Sequence, residues 1–229
     1  MPRIDDLKRS FLASIGDVAF GMSDGAVSVA GLVFGVAAST SDSELVLLAG
    51  ATGAIAGAVS MMAGTYLDAQ SERDRMDALV AMAEERAARE PEPYLLRARK
   101  RLVAAGYTER EADATLEIFR RNPEALFDHI VAYELGGGGA EPVPPLTHAA
   151  WMFIADILAA SVPVLPFAFF EIGTARIVSL IITGGLMALL GYARGRIGQV
   201  NVPWAVAQTM LIAGVAALAG VGIGHLVAA

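Results

Sequence analysis

Charge is kept out of a few long apolar stretches of this chain. Residues 149–170, 177–192 and Val202–Ala228 contain a single acidic residue, Asp156, and residues 45–67 contain no charge at all. An α-helix needs about 20 mostly apolar residues to cross a ~30 Å hydrocarbon core. Each stretch reaches that length once 177–192 is extended back toward Gly173. Residues 15–38 form a further span, although Asp17 and Asp24 lie inside its Gly-rich run. Two carboxylates facing lipid would be costly, whereas carboxylates facing other helices or a wet cavity are tolerated and usually functional. The expected fold is all-α: five transmembrane helices with a small cytoplasmic helical domain inserted between the second and third. The expected division is 1–67, 68–148 and 149–229.

Composition agrees with that reading. Hydrophobic residues make up 55% of the chain and charged ones 18%, with a mean hydropathy of +0.53, which excludes a disordered chain. A net charge of −7 excludes a nucleic-acid binder that relies on a basic surface. The absence of cysteine excludes a disulfide scaffold, a thiolate metal site and a Cys nucleophile. Lys and Arg placement sets the expected topology. With the N-terminus cytoplasmic, sixteen of the seventeen basic residues fall inside, and only Arg176 falls outside. The first residues, MPRIDDLKRS, are charged and precede no cleavage pattern of a secretory signal.

The connector reads as helical. Residues 68–89 continue the second span without a breaker until Glu90-Pro91-Glu92-Pro93 stops it. Leu95, Ala98, Leu102 and Ala105 then recur at helical spacing and end at Gly106, a natural residue just beyond a helix. Thr108 and Glu111 form a capping box for a helix with Ala112, Leu116 and Phe119 on its apolar face. Asn122-Pro123 opens another, with Leu126, Ile130 and Tyr133 on one face. Gly136–Gly139 closes the domain.

The residues that could carry chemistry are few. In the first span Asp17, Gly21, Asp24, Ser28, Gly31 and Gly35 alternate four and three apart, which is one helix face. Gly50, Gly53, Gly57, Ser60 and Gly64 repeat it in the second span. Such small-residue faces let membrane helices approach closely. Asp24 is the intramembrane carboxylate that most strongly suggests function, and Asp17 lies nearer the interface. Met61, Thr65, Asp68 and Glu72 form a stripe from a thioether to two carboxylates, a donor set suited to a borderline divalent metal such as Fe2+ or Mn2+. Asp156 is a candidate carrier of a coupling proton, with Asp17 second. His148 and His225 suggest no role. No nucleophile–base motif, phosphate loop or metalloprotease pattern is present, so no enzyme is expected.

These motifs resemble the vacuolar iron transporter family. Ser23-Asp24-Gly25, Gly31-Leu32-Val33-x-Gly35-Val36, Leu47-Leu48-Ala49-Gly50, Gly57-Ala58-Val59-Ser60-Met61 and Gly64-x-Tyr66-Leu67 carry the resemblance. So do Gln70-Ser71-Glu72-Arg73-Asp74, Pro163-Val164-Leu165-Pro166 and Gly222-Ile223-Gly224. The resemblance implies a homodimer of five-span subunits that exports Fe2+ from the cytoplasm in exchange for protons, with a metal-binding connector. It also implies that Asp24 and Met61 line the ion path, where they are expected to be metal ligands; Asp68 and Glu72, further along the stripe, are expected to guide the ion in. Fe2+ or Mn2+ is then cargo, and no cofactor is permanently bound.

The connector departs from that pattern. Leu79, Ala83, Arg86, Tyr94 and Arg97 stand where the family usually has Glu, although Glu134-Leu135-Gly136 matches its closing motif. Glu84, Glu85, Glu90, Glu92 and His129 are read as solvated surface, and an Arg among ligands repels a metal. The competing reading is a non-transporting membrane protein of the same fold with a regulatory or partner-binding connector. The abundance of Ala, Gly and Arg suggests a bacterial source, which would make the membrane the plasma (inner) membrane.

Overall fold

The computed structural model describes residues 4–133, 135 and 143–228. These form α1 (Ile4–Ala13), α2 (Ile15–Ser39), α3 (Ser43–Arg89), α4 (Glu92–Ala104), α5 (Glu109–Arg121), α6 (Pro123–Tyr133), α7 (Pro145–Val164), α8 (Pro166–Phe169), α9 (Ile172–Ile197) and α10 (Val202–Ala228). Among the described residues there is no strand. α2, α3, α7, α9 and α10 are each long and apolar enough to cross a membrane. The chain divides into two compact units, Met1–Asp68 with Val143–Ala229, and Ala69–Pro142. The third expected span is broken: α7 stops at Val164 and the short α8 follows, because Pro163 and Pro166 have no N–H to extend the helical ladder. Where α7 ends, the Pro163 carbonyl accepts a hydrogen bond from the Ser179 hydroxyl of α9 at 2.7 Å.

In the first unit α2 is the central helix, packed on α7 and α10. Gly21 lies against Met152 and Gly25 against Asp156, so α2 and α7 run in the same direction with a constant offset in number. Gly31 lies against Ala216 and Gly35 against Gly220, which makes α10 parallel to α2 as well. α9 runs the opposite way, with Gly191 on Val206 and Gly195 on Val202. Five spans that alternate in direction require this pattern.

The glycine face of α2 sets the closeness of the packing. A Cβ on Gly220 would lie 1.9 Å from the Gly31 carbonyl oxygen, and one on Gly224 would lie 2.1 Å from that of Gly35. Without side chains the backbones approach until dispersion contacts are made, which is how membrane helices associate without a hydrophobic force between them. The partners of this face are α7 and α10. The glycine face of α3 meets α2 and α7 only at its first turns, where Gly50 and Gly53 lie against Val33, Leu32 and Val164. Gly57 and Gly64 have no neighbour within 4 Å.

The second unit is built on Ala83, Ala87, Leu95, Ala98, Leu116, Leu126 and Ile130. Gly106 takes a left-handed φ of +101° after α4. Thr108 and Glu111 form a complete capping box at the start of α5. Tyr133 departs from the expected apolar face: it is 65% exposed, because it sits in the last turn of α6 beyond the core. Leu102 and Ala105 also remain outside the buried set, and Glu134 and Gly136–Gly139 lie outside the described residues. α4 and α5 are joined by Arg99, which bonds Asp113 at 2.6 Å and also pairs with Glu109.

Two outcomes follow from this packing. Gly220→Ala should lower the unfolding free energy in detergent by about 1–3 kcal/mol, as overpacking does, because its Cβ would strike backbone; Gly214→Ala, with nothing within 4 Å, should leave it unchanged. In the second unit, hydrogen bonding from Arg99 holds the Asp113 carboxyl below its usual range, and the Thr108 cap does the same for Glu111. Depressed carboxyl groups stabilise the fold above their unfolded pKa of about 4 and lose that contribution as pH falls through the lower folded values. Asp113→Asn should therefore make α4 and α5 amides exchange faster than in the wild type at pH 6, with the difference vanishing toward pH 3.

Candidate functional site

Asp24 lies midway along α2, half-buried, and lines a cavity of about 610 Å³ formed with α9 and α10. Ser23, Arg194 and Thr209 are the other polar residues of that cavity; its remaining lining is apolar or glycine. One residue on, Gly25 faces α7. An ideal Cβ there would fall 2.1 Å from Asp156 Oδ1, so only glycine leaves room for this carboxyl group. Asp156 is 2% exposed, and its Oδ2 has no hydrogen-bond partner. Asp156 thus sits in the α2–α7 seam against Gly25, and Asp24 on the adjacent face of α2.

Met61 lies on α3, which runs antiparallel to α2 from their contact at Leu32 and Gly53. Eight residues separate Leu32 from Asp24, and eight separate Gly53 from Met61, about 12 Å along each helix at 1.5 Å per residue. Counted along the two helices, Asp24 and Met61 are thus equally far from that contact. By the same count Asp17 and Asp68 are equally far from it, near the other end of the span. Met61 is half-buried and Asp68 exposed. Glu72 belongs to the second unit. There Arg75 grips its carboxylate at 2.6 Å in an exposed ion pair, and that hydrogen bond holds the Glu72 carboxyl below its usual range.

Two polar clusters fix the ends of α2. At its start Asp17 Oδ2 accepts from His148 Nδ1 at 2.7 Å, and the buried Ser14 hydroxyl lies 3.2 Å from the same nitrogen. Trp151, one turn along α7, donates from Nε1 to Ser10 at 3.3 Å and packs edge-on against Phe11, which ties α1 to this corner. At the far end Arg176 donates to the carbonyls of Ala37 and Thr40, the latter at 2.9 Å. A cation at a helix C-terminus satisfies orphan carbonyls and complements the helix dipole. The sequence suggested no role for His148; its adjacency to Asp17 depends on which spans pack together, and a single sequence does not give that.

Among the described residues no group of three or more His, Asp or Glu side chains is arranged to hold a metal. In the second unit the positions that depart from the Glu pattern have other uses. Ala83 is in the core, Tyr94 packs on it, and the Arg97 guanidinium lies 4.3 Å from the Tyr94 ring centroid. Glu85 pairs with Arg89 and Glu92 with Arg120.

Five apolar helices around a buried acid define an integral membrane protein, and comparison with known proteins narrows the class. Residues 15–225 match the VIT family. The chain is 32% identical over 216 residues to vacuolar iron transporter 1 of Eucalyptus grandis, covering 93% of this chain and 86% of that protein. Identity to vacuolar iron transporter 1 of Oryza sativa subsp. japonica is 31% over 216 residues, covering 93% and 85%. To the yeast protein CCC1 of Saccharomyces cerevisiae it is 29% over 195 residues, covering 81% and 58%. The chain belongs to the vacuolar iron transporter family.

Proposed function

We propose that this protein is a transporter that moves a divalent metal, Fe2+ or Mn2+, out of the cytoplasm in exchange for protons. The observation that carries the reading is the half-buried Asp24 on the cavity beside α9 and α10, with Met61 at an equal helical distance from the α2–α3 contact, in a chain whose relatives are named iron transporters. One carboxylate and one thioether are too few donors to strip a hydrated ion. A second copy would double the set. The α3 face around Met61 has room for it, since Gly57 and Gly64 have no neighbour in their own chain. In this homodimer the donors suit a borderline ion better than Mg2+ or Ca2+, which prefer all-oxygen shells.

Asp156 takes the proton in this reading. A sealed carboxyl group with an oxygen that lacks a donor is costly to hold as an anion and is suited to exchange. Asp68 gathers the ion on the cytoplasmic side, and the second unit is a cytoplasmic domain without a metal relay. The membrane is the plasma membrane of a bacterial cell.

In proteoliposomes the wild type should take up Fe2+, and Asp24→Asn and Met61→Ala should each abolish uptake while eluting from gel filtration like the wild type. Absence of uptake of Fe2+, Mn2+, Co2+ and Zn2+ by the wild type would sink the transport reading and leave a regulatory membrane protein. The dimer has its own check, made simple by a chain without cysteine: Gly57→Cys or Gly64→Cys should give a disulfide-linked dimer on mild oxidation, and Gly214→Cys should not.

A further inference from the structure

The α2–α7 seam has three rungs: Asp17 with His148, Gly21 with Met152, and Gly25 with Asp156. Its upper rung holds a sealed acid whose Oδ2 has no partner. Its lower rung, eight residues away on α7 and about 12 Å along the helix, is the only titratable pair among the described residues of this seam that reaches solvent. The side chains of His148 and Asp17 are 24% and 32% exposed. We propose that Asp17 and His148 form the port through which protons on this seam pass to and from the cytoplasm, while the metal moves past Asp24 on another face of α2. This rests on the reading above that Asp156 exchanges protons.

The geometry suits the task. The Asp17 carboxylate can only accept, so Nδ1 of His148 carries the hydrogen and Nε2 holds the lone pair in the neutral ring. A proton taken up at Nε2 from water gives an imidazolium that releases its Nδ1 proton to the Asp17 carboxylate, a flip of the ring resets the tautomer, and the same steps in reverse carry a proton outward. The groups facing the imidazole are Asp17 and Ser14, and α1 presents Ser10 and Phe11 to the neighbouring Trp151. Among the described residues no Lys or Arg pairs with Asp17, so His148 is the basic side chain that faces it. The facing acid at the upper rung is Asp24, next to Gly25. Between the two rungs stands Met152, 2% exposed, with its Sδ 2.6 Å from where a Gly21 Cβ would be. Its unbranched side chain can change rotamer to admit a water, so it gates the seam without a titratable group of its own.

The test uses the full-length protein in proteoliposomes, with Fe2+ uptake and proton flux followed together. His148→Gln should slow both fluxes by about a hundredfold, the lower end of what a positioned proton-transfer group contributes, with the KM for Fe2+ unchanged. Imidazole added on the His148 side should restore the rate in proportion to its concentration, which a packing defect would not allow. Asp17→Asn, nearly isosteric and still able to accept from Nδ1, should slow proton flux in the same way and stands in should His148→Gln not fold. Wild-type fluxes in the folded variants, or a loss that imidazole does not restore, overturn the proposal. Asp156→Asn separates the two readings: if it leaves proton coupling intact, the exchange role of Asp156 fails and the port with it. If it uncouples transport while His148→Gln behaves as wild type, only the port fails.

Discussion

The contact of glycine with backbone along α2 is the constraint on which the first unit depends. In water an amphipathic helix is held by burying its apolar stripe, but in a bilayer the lipid tails are as apolar as any side chain, so association must come from close van der Waals fit. The unit meets this requirement by omission. Gly31 and Gly35 face Gly220 and Gly224 at distances no Cβ could share, and Gly21 and Gly25 do the same for Met152 and Asp156. α10 is otherwise almost wholly exposed on its apolar surface, with Leu211, Leu218 and Leu226 free for lipid. Its place in the fold therefore rests on two close glycine seams, one with α2 and one in which Gly191 and Gly195 of α9 meet Val206 and Val202.

The same omission creates the chemistry. Asp156 fits into the interface only because Gly25 has no side chain, and Asp24, one residue before that glycine, turns toward the cavity with α9 and α10 instead. Ser-Asp-Gly is thus a structural sentence as well as a functional one: the glycine makes room for one acid while the aspartate offers another on the adjacent face. A residue larger than glycine at this position would displace a buried carboxyl group and the helix that carries it together.

Much of this was legible in the sequence, and the limits are instructive. The start of the first span and both ends of the fifth, the capping box at Thr108 and Glu111, and the turn at Gly106 are local, written in charge, periodicity and the need for a left-handed residue. The break in the third span was written there too, in Pro163 and Pro166, but an uninterrupted apolar stretch conceals a broken ladder of hydrogen bonds. What could not be read was pairing. The alternation of Asp17, Gly21, Asp24 and Gly31 shows that one face of α2 is special, yet it does not say that its partners are α7 and α10 and hardly α3. For that reason His148 passed as an interfacial residue and Arg176 as the lone exception to the charge rule. In the fold the first is the partner of Asp17 and the second closes the end of α2.

Arg176 shows why such exceptions are informative. A topology rule counts charges because moving a cation across the bilayer is costly, so a cation that departs from the expected pattern should have a local reason to be where it is. Here the reason is geometric: α2 ends at Ser39, its last carbonyls have no intrahelical donors, and the guanidinium of α9 supplies them. The contact fixes the end of α2 against α9, as Ser14, Asp17 and His148 fix its start against α7. Between these two polar anchors the helix is held by close glycine contacts and by packed apolar side chains such as Val29 and Val33, which have no directional bonds to break when it rocks or rotates. A central helix pinned at both ends and smooth between them can shift its acids relative to α3 without losing its place, and that freedom is what an ion passing Asp24 would require.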